Sequence, residues 1–101
     1  MASKADLPSS KKLIWPVIQA LKRSSGPTQK SAIDSHLIEI LGLPQELVSI
    51  PHDKSRAEYQ YRSAWALSYG KKAGYFENPA RNQWALTEKG RQLNSATEIA
   101  L

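Results

Sequence analysis

The first apolar pattern in this sequence lies between residues 11 and 23 and has the spacing of an amphipathic helix. Its apolar residues recur four positions apart in two neighbouring rows: Leu13, Ile14, Val17, Ile18 and Leu21. Pro16 lacks an amide proton and is tolerated in a first turn, so the helix either begins near Leu13 or is kinked at the proline. The stretch SSGP at residues 24–27 then ends the helix.

A second helix is predicted from Ser31 to Leu41. Ser31 and Asp34 have the spacing of a capping box, and Gly42 follows the segment as a helix-ending glycine. The apolar residues of the segment share one face: Ile33, Leu37, Ile40 and Leu41. A single helical turn is expected after Pro44, because proline is favoured where helices begin.

A third helix ends at Gly74, and its start has two alternatives. Ser55 and Glu58 fit a capping box, whereas the apolar stripe becomes regular only from about Tyr59. We predict that the stripe faces the core with Trp65, Ala66, Tyr69 and Ala73. Gly70 within this helix costs about 1 kcal/mol relative to alanine, which indicates either close packing or a weak point.

A β-hairpin follows, with strands at residues 75–77 and 83–87 and a loop from Asn78 to Asn82. Thr87 can cap a last helix over residues 88–100. Three helices, a hairpin wing and a C-terminal helix predict an α+β fold, the winged helix-turn-helix.

The chain length fits one domain. We expect residues 1–10 to form a flexible N-terminal arm and residues 11–101 to form the winged-helix domain, with the last few residues frayed. No heptad pattern predicts a coiled-coil dimer, and the sequence leaves the oligomeric state open.

The composition is that of an ordinary globular protein, with 41% hydrophobic residues in 101 positions. No apolar run reaches the roughly 18 residues of a membrane-spanning helix, and no signal peptide is recognisable, so we expect a cytoplasmic protein without a membrane partner. The absence of cysteine excludes disulfides and thiolate chemistry, and two histidines make a poor metal site. We therefore expect no metal and no cofactor.

Positive charge is concentrated in the second half of the chain. Fourteen Lys and Arg residues stand against nine Asp and Glu, a net charge of +5, and residues 54–91 hold eight of the bases and three of the acids. Proteins with such an excess of positive charge usually bind a polyanion, although some bind an acidic protein instead. We therefore expect nucleic acid as the partner.

In a winged helix, the third helix can enter the major groove of duplex DNA while the wing touches the neighbouring backbone. The helix face opposite the aromatic stripe carries four predicted DNA contacts: Gln60, Ser63, Leu67 and Lys71. Gln60 and Ser63 can hydrogen-bond to base edges, and Leu67 can meet a thymine methyl. Further DNA contacts are predicted for Arg56 and Arg62, for Arg81 and Asn82 near the wing tip, and for Lys30 and Ser31, where a helix N-terminus can receive a phosphate.

The aromatic residues have a second functional interpretation as stacking platforms for the bases of a single strand. We prefer to place Trp65 and Trp84 in the core, because a small two-layer fold needs bulk at these positions. Tyr59, Tyr61 and Tyr75 then remain as the rings expected at the surface.

The stretch YRSAWALSYGKKAGYFENPARNQWALTEKGR resembles the N-terminal domain of the Mrr-type restriction proteins. Its matching elements are Arg62, Trp65–Ala66, Lys71–Gly74 and Trp84–Gly90, and LGLP at residues 41–44 also fits. The likeness extends over roughly residues 13–93. Gly70 departs from the large aliphatic residue that the family usually has at this position.

The resemblance implies a winged-helix domain that binds double-stranded DNA in a system restricting modified foreign DNA, with modified bases as a candidate target. Family members normally carry a nuclease domain after this one. A metal-dependent nuclease centre of that class needs Asp, Glu or Gln two positions before a lysine, and none of the nine lysines has one. We therefore expect no enzymatic activity here. The alternative is a protein-interaction winged helix that serves as an adaptor for a nuclease or a regulatory partner.

Overall fold

The structure is a computed structural model and describes residues 2–99 of the chain. Its five helices within these residues are α1 (Ile14–Lys22), α2 (Lys30–Leu41), α3 (Gln45–Val48), α4 (Glu58–Lys72) and α5 (Glu88–Arg91). Its strands are β1 (Thr28–Gln29), β2 (Phe76–Ala80) and β3 (Gln83–Leu86). Short 3-10 turns lie at Lys4–Asp6 and Ala96–Glu98.

The three strands form one antiparallel sheet in the order β1-β3-β2. β3 pairs with β2 as a hairpin and pairs on its other edge with β1, where Thr28 stands opposite Trp84. The sequence does not predict β1, because two residues are too few to show an alternating pattern. The observed fold is α+β and is compatible with a winged helix-turn-helix.

A single apolar core joins α1 to α2, to α4 and to the hairpin. The residues predicted for the buried side of the first helix are all buried: Leu13, Ile14, Val17, Ile18 and Leu21. α1 begins at Ile14 and has Pro16 in its first turn, where an amide proton would have no helical partner. The alternative of a helix that begins near Leu13 is therefore the one observed.

The starts of α2 and α4 differ in detail from the prediction. α2 begins at Lys30 and ends against Gly42, which has φ 63° as expected for a helix-ending glycine. α4 begins at Glu58, and the amide of Ala57 donates to the Oε1 atom of Gln60 over 3.0 Å. The alternative start near Tyr59 is the closer of the two predictions.

The hairpin turns at Arg81 and Asn82, because residues 78–80 belong to β2 instead of to the predicted loop. Asn82 has φ 61°, a left-handed conformation that asparagine adopts more readily than most residues. Pro79 is compatible with β2 because this strand lies at the edge of the sheet, where a missing amide proton breaks no ladder.

The predicted last helix over residues 88–100 is wrong beyond Arg91. Thr87 does cap α5, since its Oγ1 atom accepts from the amide of Gly90 over 3.1 Å. Farther along, the amides of Asn94 and Ser95 donate to the Glu98 carboxylate, and such local side-chain bonds compete with a continuing helix. The predicted fraying concerns the last few residues of the chain. Of these, residues 100 and 101 lie outside the described range.

The described part of the predicted N-terminal arm, residues 2–10, contacts the helices. Leu7 is buried, and it lies beside Leu37 and Tyr59 at a small apolar hollow. Residue 1 lies outside the described range.

Candidate nucleic-acid interface

One side of α4 is buried against α1, α2 and β2. Tyr59, Ser63, Ala66, Leu67 and Gly70 are buried, at spacings of three and four residues. Gly70 lies so close to the ring of Phe76 that an added Cβ would be 2.2 Å from its Cε2 atom. The close approach of β2 therefore requires a residue without a Cβ at position 70 and fixes which side of α4 faces the sheet.

The aromatic stripe of α4 consequently lies on the outside, and the prediction that Trp65 and Tyr69 face the core is wrong. Trp65 is 44% exposed and Tyr69 is 36% exposed. The tyrosines predicted at the surface are also partly misplaced, because Tyr59 and Tyr75 are buried and only Tyr61 is half-exposed. Trp84, by contrast, packs against the core as predicted.

Four rings run along this outer face and form what we call the aromatic row: His52, Tyr61, Trp65 and Tyr69. His52 stacks on Tyr61 with 3.5 Å between ring centroids. The centroids of Tyr61 and Trp65 are 6.5 Å apart in an edge-to-face contact, and those of Trp65 and Tyr69 are 5.6 Å apart. The Arg56 guanidinium lies 5.3 Å from the centroid of Tyr61, a cation–π contact at one end of the row.

Beside this row lies a cleft of about 360 Å³ where the N-terminus of α2, the start of α4 and the hairpin turn meet. We call it the α2–α4 cleft, and it is lined by Gln29, Lys30, Ser31, Asp34, Arg56, Gln60 and Asn82. The main-chain amide of Lys30 donates to the carbonyl of Asn82 over 2.9 Å and holds the hairpin turn against α2. Five residues predicted to contact DNA thus line one concavity: Lys30, Ser31, Arg56, Gln60 and Asn82.

A buried carboxylate lies at the base of this cleft. Burial raises the pKa of Asp34, and the charge and hydrogen bonds of Lys30, together with the hydroxyl of Ser63, oppose that rise. The Nζ atom of Lys30 is 2.7 Å from both carboxylate oxygens, and the Ser63 hydroxyl donates to one of them over 2.6 Å. The positive charge of Lys30 is therefore largely balanced within the protein.

Two residues predicted for the DNA-reading face are inaccessible. Ser63 and Leu67 have no exposed surface, so the prediction that they face outward is wrong. The reason is the rotation of α4, which turns the side with Ser63, Leu67 and Gly70 into the protein and the rings of Trp65 and Tyr69 to solvent. Ser63 uses its hydroxyl within the protein, as the partner of Asp34.

Arg62, for which a DNA contact is predicted, is held by other groups of the protein itself. Its side chain is 20% exposed, and its Nε atom donates to the carboxylate of Glu58 over 2.8 Å. Its Nη1 atom donates to the carbonyls of Leu7 and Pro8. Arg62 therefore joins the N-terminal segment to α4.

Glu58 collects several positive partners at this junction. Burial by itself would raise the pKa of Glu58, but hydrogen bonds from Arg62, His52 and Lys4 outweigh burial and lower the pKa below its ordinary value. The Nδ1 atom of His52 is 3.0 Å from the carboxylate, and the Nζ atom of Lys4 is 3.4 Å from it. Glu58 therefore stays ionised and fixes the start of α4.

The remaining predicted cations stand free at the surface. Arg81 is exposed at the hairpin turn, and Lys71 and its neighbour Lys72 are exposed at the end of α4. None of the three forms an ion pair within residues 2–99. Arg56 is about half exposed and forms a longer contact of 3.4 Å with Asp53. These side chains are therefore available to an anionic ligand.

A family model described as the Mrr N-terminal domain matches residues 11–96. The chain belongs to the Mrr N-terminal domain family. The resemblance drawn from the sequence is therefore confirmed. Membership of this family supports an association of the domain with restriction systems. No curated protein and no solved structure gives a significant match.

Two further observations on this Mrr N-terminal domain concern metal ligands and the length of its helices. Across residues 2–99, no three side chains of the types that ligate metals come together. Over the same residues, none of the helices is long and apolar enough to span a membrane. The candidate site is the surface formed by the α2–α4 cleft, the aromatic row and the exposed cations.

Proposed function

We propose that this Mrr N-terminal domain is a winged helix that binds double-stranded DNA in a restriction system, without a nuclease centre of its own. The observation that carries the proposal is the α2–α4 cleft, which gathers residues of α2, α4 and the hairpin turn on one side of the molecule. A concave surface with amide, hydroxyl and guanidinium groups suits a phosphate backbone. The exposed Arg81 at the adjoining turn extends the same surface.

The charge available for duplex DNA is smaller than the sequence count indicates. Lys30 is balanced by Asp34, and Arg62 by Glu58. Four exposed cations remain: Lys71, Lys72 and Arg81, which form no ion pair within residues 2–99, and Arg56, whose 3.4 Å pair with Asp53 is exposed and therefore weak. If each neutralises one phosphate, the logarithm of the binding constant should fall with the logarithm of salt concentration at a slope of about −3.6.

Fluorescence anisotropy with a labelled duplex at several salt concentrations tests this proposal. Arg81→Ala and Lys71→Ala should each weaken binding and reduce the slope by about 0.9, the contribution of one phosphate contact. Lys12→Ala is the matched control, because Lys12 is an exposed lysine beside Trp15 and outside the proposed surface. Absence of duplex binding at low salt would contradict the proposal, as would equal effects of all three substitutions.

A second candidate function is favoured by the exposed rings of α4. A partner protein docks readily on an exposed aromatic surface, since Trp and Tyr are enriched in binding hot spots. As an adaptor, the domain would present Trp65 and Tyr69 to a nuclease subunit or a regulatory partner. Loss of partner capture in Trp65→Ala, together with no DNA binding by the wild type, would favour this function.

A further inference from the structure

Three neighbouring rings on one exposed helix face need a physical explanation. Single apolar residues at a surface are common, but a contiguous exposed patch usually marks a binding site. Tyr61, Trp65 and Tyr69 are spaced by one helical turn each, and small side chains lie between them: Ala64 and Ser68. A shallow depression of about 290 Å³ is lined by Arg56, Tyr61, Ala64, Trp65 and Ser68.

We infer that this depression and the aromatic row bind the unpaired bases of single-stranded DNA. The inference goes beyond duplex binding, because it assigns a ligand whose bases are exposed. Base stacking on aromatic rings is the principal contact of proteins that hold single strands. Paired bases keep their faces within the helical stack, so only an unpaired strand can use this surface.

The side chains on this side of α4 are better suited to stacking on the planes of bases than to hydrogen bonding with base edges. Side chains that read edges in the major groove are chiefly Arg, Lys, Asn and Gln, with Ser and Thr as weaker readers. The middle of the exposed face of α4 has one such side chain, Ser68, between Tyr61 and Tyr69. Gln60 lies in the neighbouring cleft, where its side-chain oxygen accepts from the Ala57 amide.

The charges around the rings are complementary to a phosphate backbone. Arg56 lies at one end of the aromatic row, and Lys72 lies one turn beyond Tyr69 at the other. Glu58 is the sole acid in α4, and it is buried and paired with Arg62. An anionic strand laid along the rings therefore meets a cation at each end and no exposed acid of α4, and the acid beside this path is Asp53, which pairs with Arg56 over 3.4 Å.

Arg56 connects this surface with the α2–α4 cleft, because it lines both concavities. A nucleic acid with its paired part in the cleft could place its first unpaired base at Trp65. The ligand that uses both surfaces is duplex DNA with an adjoining unpaired segment.

The test is fluorescence anisotropy of the protein with a labelled 12-nucleotide oligo(dT) at low salt. Trp65→Ala should weaken binding by about 5-fold to about 160-fold, which is the range for the loss of one stacked base. Trp65→Phe keeps an aromatic face and should therefore bind oligo(dT) more tightly than Trp65→Ala. Tyr69→Ala gives a second, independent variant that should also weaken binding.

Thermal melting by circular dichroism checks that the variants are folded, as expected because Trp65 and Tyr69 are exposed. Lys12→Ala is again the matched control and should leave oligo(dT) binding unchanged. Equal binding by the wild type, Trp65→Ala and Tyr69→Ala would overturn the inference, and so would no binding of oligo(dT). Tighter binding of oligo(U) than of oligo(dT) would overturn the assignment to DNA.

The same proteins measured with the blunt duplex separate this inference from the proposed function. Duplex binding with the expected salt slope, together with oligo(dT) binding that is equally tight in the wild type and in Trp65→Ala, would overturn only the inference. Oligo(dT) binding that depends on Trp65, without duplex binding, would overturn only the proposed function. Self-association that Trp65→Ala abolishes, with no oligo(dT) binding, would show a protein interface and overturn the inference.

Discussion

Replacing Gly70 by alanine tests the packing that turns the rings of α4 outward. In the wild type, an added Cβ would lie 2.2 Å from Cε2 and 2.4 Å from Cδ2 of Phe76. Ordinary contacts between carbon atoms are about 3.5–4.0 Å, so the ring would have to move by more than about 1 Å. Phe76 is 2% exposed and part of the core, and it has no solvent to move into.

Two effects of opposite sign decide the stability of Gly70→Ala. Alanine favours a helix interior over glycine by about 1 kcal/mol. Overpacking a core costs about 1–3 kcal/mol, and the severity of this overlap favours the upper end. We therefore expect the free energy of unfolding to fall by about 2 kcal/mol, which for a domain of this size lowers Tm by about 8–16 °C.

Urea and thermal denaturation followed by circular dichroism measure this change. The matched control is Gly26→Ala, because no atom lies within 4 Å of the position that a Cβ would occupy there. That variant should be as stable as the wild type, or slightly more stable because the unfolded chain loses freedom. In Gly70→Ala combined with Phe76→Leu, the costs should be less than additive, since the smaller side chain makes room. A Gly70→Ala protein at least as stable as the wild type would refute the close approach of α4 to β2.

Two further predictions concern charged groups outside the proposed DNA surface. Arg62→Ala should lower the free energy of unfolding by about 1–3 kcal/mol, because the buried Glu58 loses a partner. The duplex affinity of the folded protein should stay unchanged. Urea denaturation measures the first effect and fluorescence anisotropy the second, and a loss of duplex affinity without a loss of stability would contradict this role. The amide of Ser55 is the chief cause that lowers the pKa of Asp53 to about 2, from 3.8 in the unfolded chain. Stability from Asp53 is therefore present above pH 3.8 and lost as the pH falls towards 2, and urea midpoints of Asp53→Asn should fall less steeply in that range. An identical pH dependence in both proteins would contradict the assignment.

The order of helices and hairpin could be predicted from the sequence because each element carries its own local signal. The apolar residues of α1, the glycine after α2 and the cap of α5 at Thr87 all act within one or two helical turns. β1 could not be predicted, because its two residues are ordered by pairing with β3 and by nothing local. The long last helix failed for a related reason: its amides find partners in the Glu98 side chain.

The rotation of α4 could not be predicted from periodicity alone. The stripe with Trp65 and Tyr69 and the stripe with Ser63, Leu67 and Gly70 both have helical spacing, and hydrophobicity favours the first. The choice depends on how closely β2 approaches, which is a property of the folded chain. Gly70 was the available signal, since a glycine inside a helix indicates a close neighbour.

Half of the predicted DNA contacts lie together in the α2–α4 cleft because they stand at the ends of elements, where the rotation of α4 matters least. Lys30 and Ser31 start α2, and Asn82 lies at the hairpin turn. The residues in the middle of α4 depended on the rotation, and there the prediction failed for Ser63 and Leu67.

The hydrogen bond between the amide of Lys30 and the carbonyl of Asn82 uses main-chain atoms only. The attachment itself therefore uses no side-chain atom, and proline at position 30 is the substitution that would remove the donor. The exposed side chain of Arg81 can therefore be varied while main-chain atoms keep the hairpin turn attached to α2, whereas position 82 is constrained by its φ of 61°.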